Sequence, residues 1–270
     1  MLDPLLIAEL ALLGVCTGFL AGLLGIGGGM LMVPFITLIM GGRGVTPDLA
    51  VKMAIATSMA TIIFTSISSV RAHHKRGAVR WEIVRHLAPG IVLGAGMASV
   101  GVFAVLKGHW LALFFALFVG FSATQMLLDR KPAPTRTLPG TAGQWSVGAA
   151  IGFLSGLVGA GGGIISVPFM TWCNVAMTHA VATSAALGFP IALANAVGYV
   201  WAGQGVDGLP AGSAGYVFLP ALGVIATASV LTAPWGVRAA HAMPVKKLKR
   251  VFALVLYALA GYMLWQGLKG

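Results

Sequence analysis

The sequence predicts an all-α polytopic membrane protein made of two inverted repeats, each with a glycine-broken or re-entrant first segment plus three further helices. Three observations carry this. Of 270 residues, 58% are hydrophobic and 9% charged, and mean hydropathy is +0.94, which leaves too little polar surface to clothe a soluble domain of this length. A glycine-rich apolar stretch is written twice. Lys and Arg also divide unequally between the two sides of the membrane under one topology only.

Apolar runs fall at about 5 to 40, 50 to 70, 86 to 106, 110 to 128, 145 to 173, 180 to 201, 214 to 235 and 251 to 268. Most match the roughly 20 residues that cross a bilayer as one helix. The first and fifth are too long, because a 36-residue helix would extend about 54 Å at about 1.5 Å per residue, against a hydrocarbon core of about 30 Å. Each must break or fold back, and the glycines mark where. Gly25, Gly27, Gly28 and Gly29 interrupt the first run and Gly159, Gly161, Gly162 and Gly163 the fifth. Pro34 and Pro168 follow, where proline suits the start of a new helix. The opening MLDPLLIAEL carries acids and no basic region, so it reads as a retained membrane segment and not as a cleaved signal peptide.

The repeat sets the domain organisation. GFLAGLLGIGGGMLMVPF (18 to 35) and GFLSGLVGAGGGIISVPF (152 to 169) share 12 of 18 positions, and Ala56-Thr57-Ser58 recurs as Ala182-Thr183-Ser184. Residues 1–128 form one membrane repeat and 144–270 the other, joined by an exposed cytoplasmic linker at 129–143 that is rich in proline and basic residues. Single crossings of each long run would split the 17 Lys and Arg 9 against 8. Folding each long run back places 13 on one side, from Arg71 through Arg85, in the linker and from Arg238 through Arg250, and leaves Arg43, Lys52, Lys107 and Lys269 on the other. The positive-inside rule favours this split, which inverts the second half and puts both termini outside.

The duplicated glycine motif ahead of Val-Pro-Phe, the repeated Ala-Thr-Ser and the basic loop HHKRGAVRW resemble the sulfite exporter TauE/SafE family over essentially the whole chain. The resemblance implies a transporter of small sulfur-containing anions such as sulfite, sulfonates or sulfoacetate, usually directed out of a bacterial cell across the inner membrane. An importer of another small organic anion or oxyanion is the alternative within transport.

The residues themselves also suit an anion. A helix that starts within the membrane exposes unpaired N–H groups carrying about half a positive charge, so Gly27, Gly28 and Gly29, with Gly161, Gly162 and Gly163, are candidate substrate-binding positions. The competing role for these glycines is tight helix packing. Thr57, Thr61, Thr65 and Ser68 or Ser69, with Ser58 alongside, form a hydroxyl stripe, and Thr183, Ser184, Asn195 and Tyr199 are its counterpart. Of these, Thr57, Ser58, Thr183, Ser184 and Asn195 are taken as candidate anion donors, against the alternative that Ser and Thr bond the preceding turn. Lys52 is a candidate entrance residue, with snorkelling to the interface as the competing role.

Glu9 and His179 are the candidates for a proton relay, and His73-His74 reads as interfacial in place of a metal site. A membrane thiol oxidoreductase needs paired thiols, whereas Cys16 aligns with Ala150 and Cys173 with Ile39. No catalytic residue, cofactor or metal is expected. The expected partners are a small anionic substrate, membrane lipid and a second copy in a homo-oligomer; the basic clusters read as topology signals and not as a nucleic-acid surface. Within the glycine motif, Gly28→Val or Gly162→Val is expected to lower anion binding, and Gly22→Ala, one turn earlier in the helical part, to lower it less.

Overall fold

The structure is a computed structural model that describes residues 3–24, 28–128, 135–242 and 246–269. The first half comprises α1 (Pro4–Leu24), α2 (Gly29–Gly41), α3 (Pro47–His74), α4 (Trp81–Gly96), which continues through a π-helical turn at Met97–Val102 into α5 (Phe103–Val105), and α6 (Gly108–Leu128). The second repeats this order as α7 (Thr141–Val158), α8 (Gly163–Trp172), α9 (Met177–Ala202), a short hairpin of β1 (Ser213–Ala214) and β2 (Val217–Phe218), α10 (Leu219–Ala242) and α11 (Lys246–Lys269). Among the described residues, seven helices are long and apolar enough to cross a membrane, while Gly29–Gly41 and Gly163–Trp172 are shorter apolar helices. At about 1.5 Å per residue, α2 and α8 reach about 20 and 15 Å, about two thirds and half of a bilayer core of about 30 Å.

α3 illustrates why the local sequence makes these elements. Pro47 stands at its start, Asp48 in its first turn and Arg71, His73 and His74 in its last, so the fixed φ of proline and both ends of the helix dipole are served. Asp48 also accepts the His109 N–H at 2.8 Å, capping the start of α6 at the same end of the bundle.

Contacts along α3 set the directions of its neighbours. His179 Nδ1 lies 2.8 Å from Ala78 O, and a Cβ on Gly188 would stand 3.3 Å from Ser66 Cβ, so α9 runs antiparallel to α3. Phe218 N–H bonds Thr57 and Ser68 Oγ bonds Val230 O, so α10 runs parallel to it. α1 lies along α10 with Gly14, Gly18 and Gly22 against Ala228, Ser229 and Ala233. α7 lies along α4 in the same manner, with Gly148 against Leu87 and Gly152 against Ile91. The first helix of each half therefore packs on the fourth segment of the other through glycines four residues apart, whose missing side chains let two backbones touch.

The long runs do fold back. Gly28 returns beside Thr17, where a Cβ would meet Thr17 O at 2.8 Å, and α2 then leads out to the start of α3. Two expectations are corrected. Pro34 and Pro168 lie inside α2 and α8 and not at their starts, because each helix already begins five residues earlier, where an αL glycine turns the chain. α7 begins at Thr141, inside the stretch read as linker, since helical geometry resumes once Pro139 and Gly140 are passed. Of the linker, residues 129–134 lie outside the described residues.

Candidate functional site at the glycine breaks

Gly28 and Gly162 hold φ of 71° and 76° as the residues preceding α2 and α8, and Gly159 closes α7 at φ 72°. Left-handed backbone costs other L-residues about 1–2 kcal/mol, so glycine here is a backbone requirement. Gly28 O accepts from Leu31 and Met32, and Gly162 O from Ile165 and Ser166. The N–H groups ahead of those donors, on Gly29, Met30, Gly163 and Ile164, precede the first intrahelical bonds and carry the positive end of each dipole.

The two breaks meet. A Cβ on Gly29 would overlap Gly159 O and stand 3.0 Å from Ser58 Oγ, and Ser58 Oγ donates to Gly159 O at 2.8 Å. One residue beyond Ala160, Gly161 borders a narrow cavity with Thr65, Ser66, Ser69 and Ser184, whose empty space is about 240 Å³, of which about 10 Å³ could hold the centre of a water molecule. That is room for about one water. Ser166 Oγ donates to Ser184 Oγ at 2.9 Å. Ser69 Oγ, facing the cavity, is buried without a hydrogen-bond partner, and so is Ser155 Oγ, 3.3 Å from where a Cβ on Gly162 would stand. Among the described residues, the buried polar side chains include no Asp, Glu, Lys or Arg. The centre therefore offers hydrogen-bond donors without a fixed charge.

The structure thus brings Gly29 and Ser58 together with Gly159, and Gly161 and Ser184 with the cavity; Gly28 faces Thr17, Gly162 faces Ile151, Ser155 and Ile191, Gly163 opens α8, and Gly27 lies outside the described residues. The other candidates sit elsewhere. Thr57 Oγ1 accepts the Phe218 N–H at 3.0 Å, and its repeat mate Thr183 accepts the Arg80 N–H at 3.0 Å. Each hydroxyl receives the backbone just ahead of a helix of the other half, α10 and α4 respectively, so the pair latches the halves together. Thr61 and Thr65 bond the preceding turn, to Thr57 O and Thr61 O. Asn195 donates to Ile191 O, while its Oδ1, without a hydrogen-bond partner, faces Gly156, and Tyr199 OH bonds Gly156 O.

Lys52 Nζ donates to Ala104 O at 3.3 Å and rests 5.6 and 5.3 Å from the Phe103 and Tyr216 ring centres. Glu9 is exposed on α1, and His179 stands at the start of α9. Cys16 is exposed on α1 and Cys173 buried at the end of α8, both free thiols.

Sequence reasoning named Ser69 only as an alternative to Ser68 in the hydroxyl stripe, and it missed Ser155, which faces Gly162. The offset of 126 that pairs Thr57 with Thr183 also pairs Ser69 with Asn195, and both carry an unpartnered buried polar atom. That pairing was a usable signal.

The latch has a measurable consequence. Thr57→Val leaves the buried Phe218 N–H without its acceptor, and a buried unsatisfied group costs about 1–3 kcal/mol. Thr183→Val strands the half-buried Arg80 N–H, which water can reach in part. Thermal unfolding in detergent should show the larger drop in Tm for Thr57→Val.

A bundle of apolar spans closed around a neutral, donor-rich centre, with two half-length helices beginning there, defines a multi-pass membrane transporter. The chain belongs to the TauE/SafE family: the profile described as Sulfite exporter TauE/SafE matches residues 10–263. It is 37% identical over 251 residues to a "Probable membrane transporter protein" of Haemophilus influenzae, covering 92% of this chain and 94% of that one. A "Probable membrane transporter protein" of Methanocaldococcus jannaschii is 26% identical over 277 residues, with 96% of each chain covered. No solved structure matches the chain.

Proposed function

We propose that this transporter exports small sulfur-containing anions, such as sulfite, sulfonates or sulfoacetate, across the bacterial inner membrane, holding the anion at the two glycine breaks. The observation that carries this reading is the uncharged meeting point of the two glycine breaks, where Gly29 at the start of α2 lies against Gly159 at the end of α7. The oxygens of a sulfite or sulfonate accept hydrogen bonds, and the N–H groups at the starts of α2 and α8, on Gly29, Met30, Gly163 and Ile164, with the unpartnered hydroxyls of Ser69 and Ser155, can donate them. Without a cation in the centre, the anion is held by dipoles and leaves readily. The family description, sulfite exporter, agrees with this cargo.

We further propose that the halves are inverted and alternate access to the site. The antiparallel run of α3 and α9, repeat mates by sequence, supports it. So does the placement of charge: Arg71, Lys75, Arg76 and Arg238 share one end of the bundle, while Lys52 and Lys107 stand near Asp48 at the other. A periplasm-dependent reporter fused after Gly270 should be active and one placed within 129–143 silent; the reverse would contradict the inverted arrangement. Flux is the functional test. Proteoliposomes holding the protein should carry labelled sulfite, sulfoacetate or another sulfonate down its gradient saturably, and a rate equal to empty liposomes for every anion would refute the reading.

A further inference from the structure

α3 and α10 enclose a groove of about 670 Å³. Its walls are apolar in the membrane interior, with Phe64 and Ile67 from α3 and Val230, Pro234 and Val237 from α10. At its end it gathers Arg71, Lys75, Arg76 and Arg238, and no carboxylate among the described residues lines it. On α3 these positions recur every three or four residues, which places them on one face. Ser68 Oγ, bonded to Val230 O at 2.9 Å, ties the two helices together along it.

The apolar part continues away from the cations into a second hollow of about 470 Å³ that shares Phe64 and Val230 and adds Leu219, Leu222, Ala226 and Leu231. Phe64 and Leu231 are exposed large apolar side chains on these walls, so the groove opens sideways to the lipid. α3 rises about 16 Å between Phe64 and Lys75 at about 1.5 Å per residue, roughly one leaflet of a core about 30 Å thick.

We infer that this groove is a binding site for an anionic phospholipid, with the phosphate among Arg71, Lys75, Arg76 and Arg238 and an acyl chain along Phe64, Val230 and Pro234. Charge and shape agree on one occupant. A cationic rim over an apolar slot of leaflet depth fits a headgroup and its chain together, and basic pockets between membrane helices recognise such headgroups. A second copy docked by two-fold symmetry would set four cations against four. A soluble anion would use the rim but would leave the slot empty.

Native mass spectrometry of the detergent-purified chain tests this with phosphatidylglycerol, cardiolipin and phosphatidylcholine, against inorganic phosphate and glycerol phosphate as competitors. The parent should retain the two anionic lipids in preference to phosphatidylcholine. Arg71→Gln with Arg238→Gln should weaken that retention about thirtyfold, since each surface cation contributes roughly 1 kcal/mol, while Lys107→Gln at the opposite end should leave it unchanged. Val230→Trp, which fills the slot and keeps every charge, should also lose the lipid. Unchanged retention in the double variant or in Val230→Trp overturns the site. Equal competition by glycerol phosphate, which has no acyl chain, overturns it in favour of a soluble-anion vestibule. A dimer that separates on adding either substitution overturns it in favour of self-association.

Discussion

Gly22→Ala should unfold this protein at a markedly lower temperature than the parent, although alanine is the better helix former. The reason lies across the helix pair. A Cβ on Gly22 would overlap Ala233 O and come within 2.9 Å of Val237 N. Both atoms belong to the backbone of α10, which cannot yield as a side chain tip would. Overpacking typically costs about 1–3 kcal/mol, and a rigid backbone neighbour places this substitution at the upper end. Gly152→Ala, facing Ile91 O and Ala95 N across α7 and α4, should behave alike, whereas Gly120→Ala, with open space at its Cβ, should leave Tm within a degree or two. Detergent-solubilised thermal unfolding of the three variants decides it. A Gly22→Ala protein as stable as Gly120→Ala would mean that α1 and α10 are not in backbone contact.

From sequence, Gly22→Ala is set only against the break glycines in anion binding, and its cost in stability shows where sequence reasoning stopped. The break positions, the two half-length helices and the length of each repeat follow from glycine clusters in runs too long to span. They are local facts, and a periodic apolar pattern states them. Helix pairing across the halves is not local. Even so, Gly14, Gly18 and Gly22 recur as Gly148, Gly152 and Gly156, a four-residue spacing that marks two close-packed helix faces.

The hydroxyl stripe on α3 is legible in sequence as one helix face, but a shared face does not say which partner each oxygen finds. Thr57 and Thr183 look alike in sequence to Ser58 and Ser184, one residue on. In space the threonines face the backbone entering α10 and α4, and the serines face the breaks. The hairpin at Ser213–Phe218, which delivers Phe218 to Thr57, has only two residues per strand. It is too short for any alternating pattern to show.

The second large effect falls on the proposed site itself. At Gly162, alanine must hold φ near 76°, at a cost of about 1–2 kcal/mol. Its Cβ would overlap Ile191 Cδ1 and approach Ile151 Cγ2 at 3.1 Å and Ser155 Oγ at 3.3 Å. The first two are side chain ends that can shift, so Gly162→Ala should fold with a modest loss of stability. It should lose anion binding, because the new methyl crowds the N-terminal turn of α8 and the unpartnered Ser155 hydroxyl beside it. Gly28, its repeat mate, makes the instructive contrast: a Cβ there meets Thr17 O at 2.8 Å, a backbone atom, so Gly28→Ala should fail through folding and would say nothing about the ligand.

Ligand-induced thermal stabilisation of the parent and Gly162→Ala therefore tests the anion site most directly. A ligand that binds only the folded state adds about 2.7 kcal/mol at one hundred times its Kd. Sulfite, sulfoacetate and taurine would be titrated against both proteins in detergent, each confirmed monodisperse. The account predicts that at least one of these ligands raises the Tm of the parent and that a tenfold higher concentration is needed for the same rise in Gly162→Ala. A variant that folds and responds at the parent's concentrations would contradict it, and the anion would then have to bind away from the breaks.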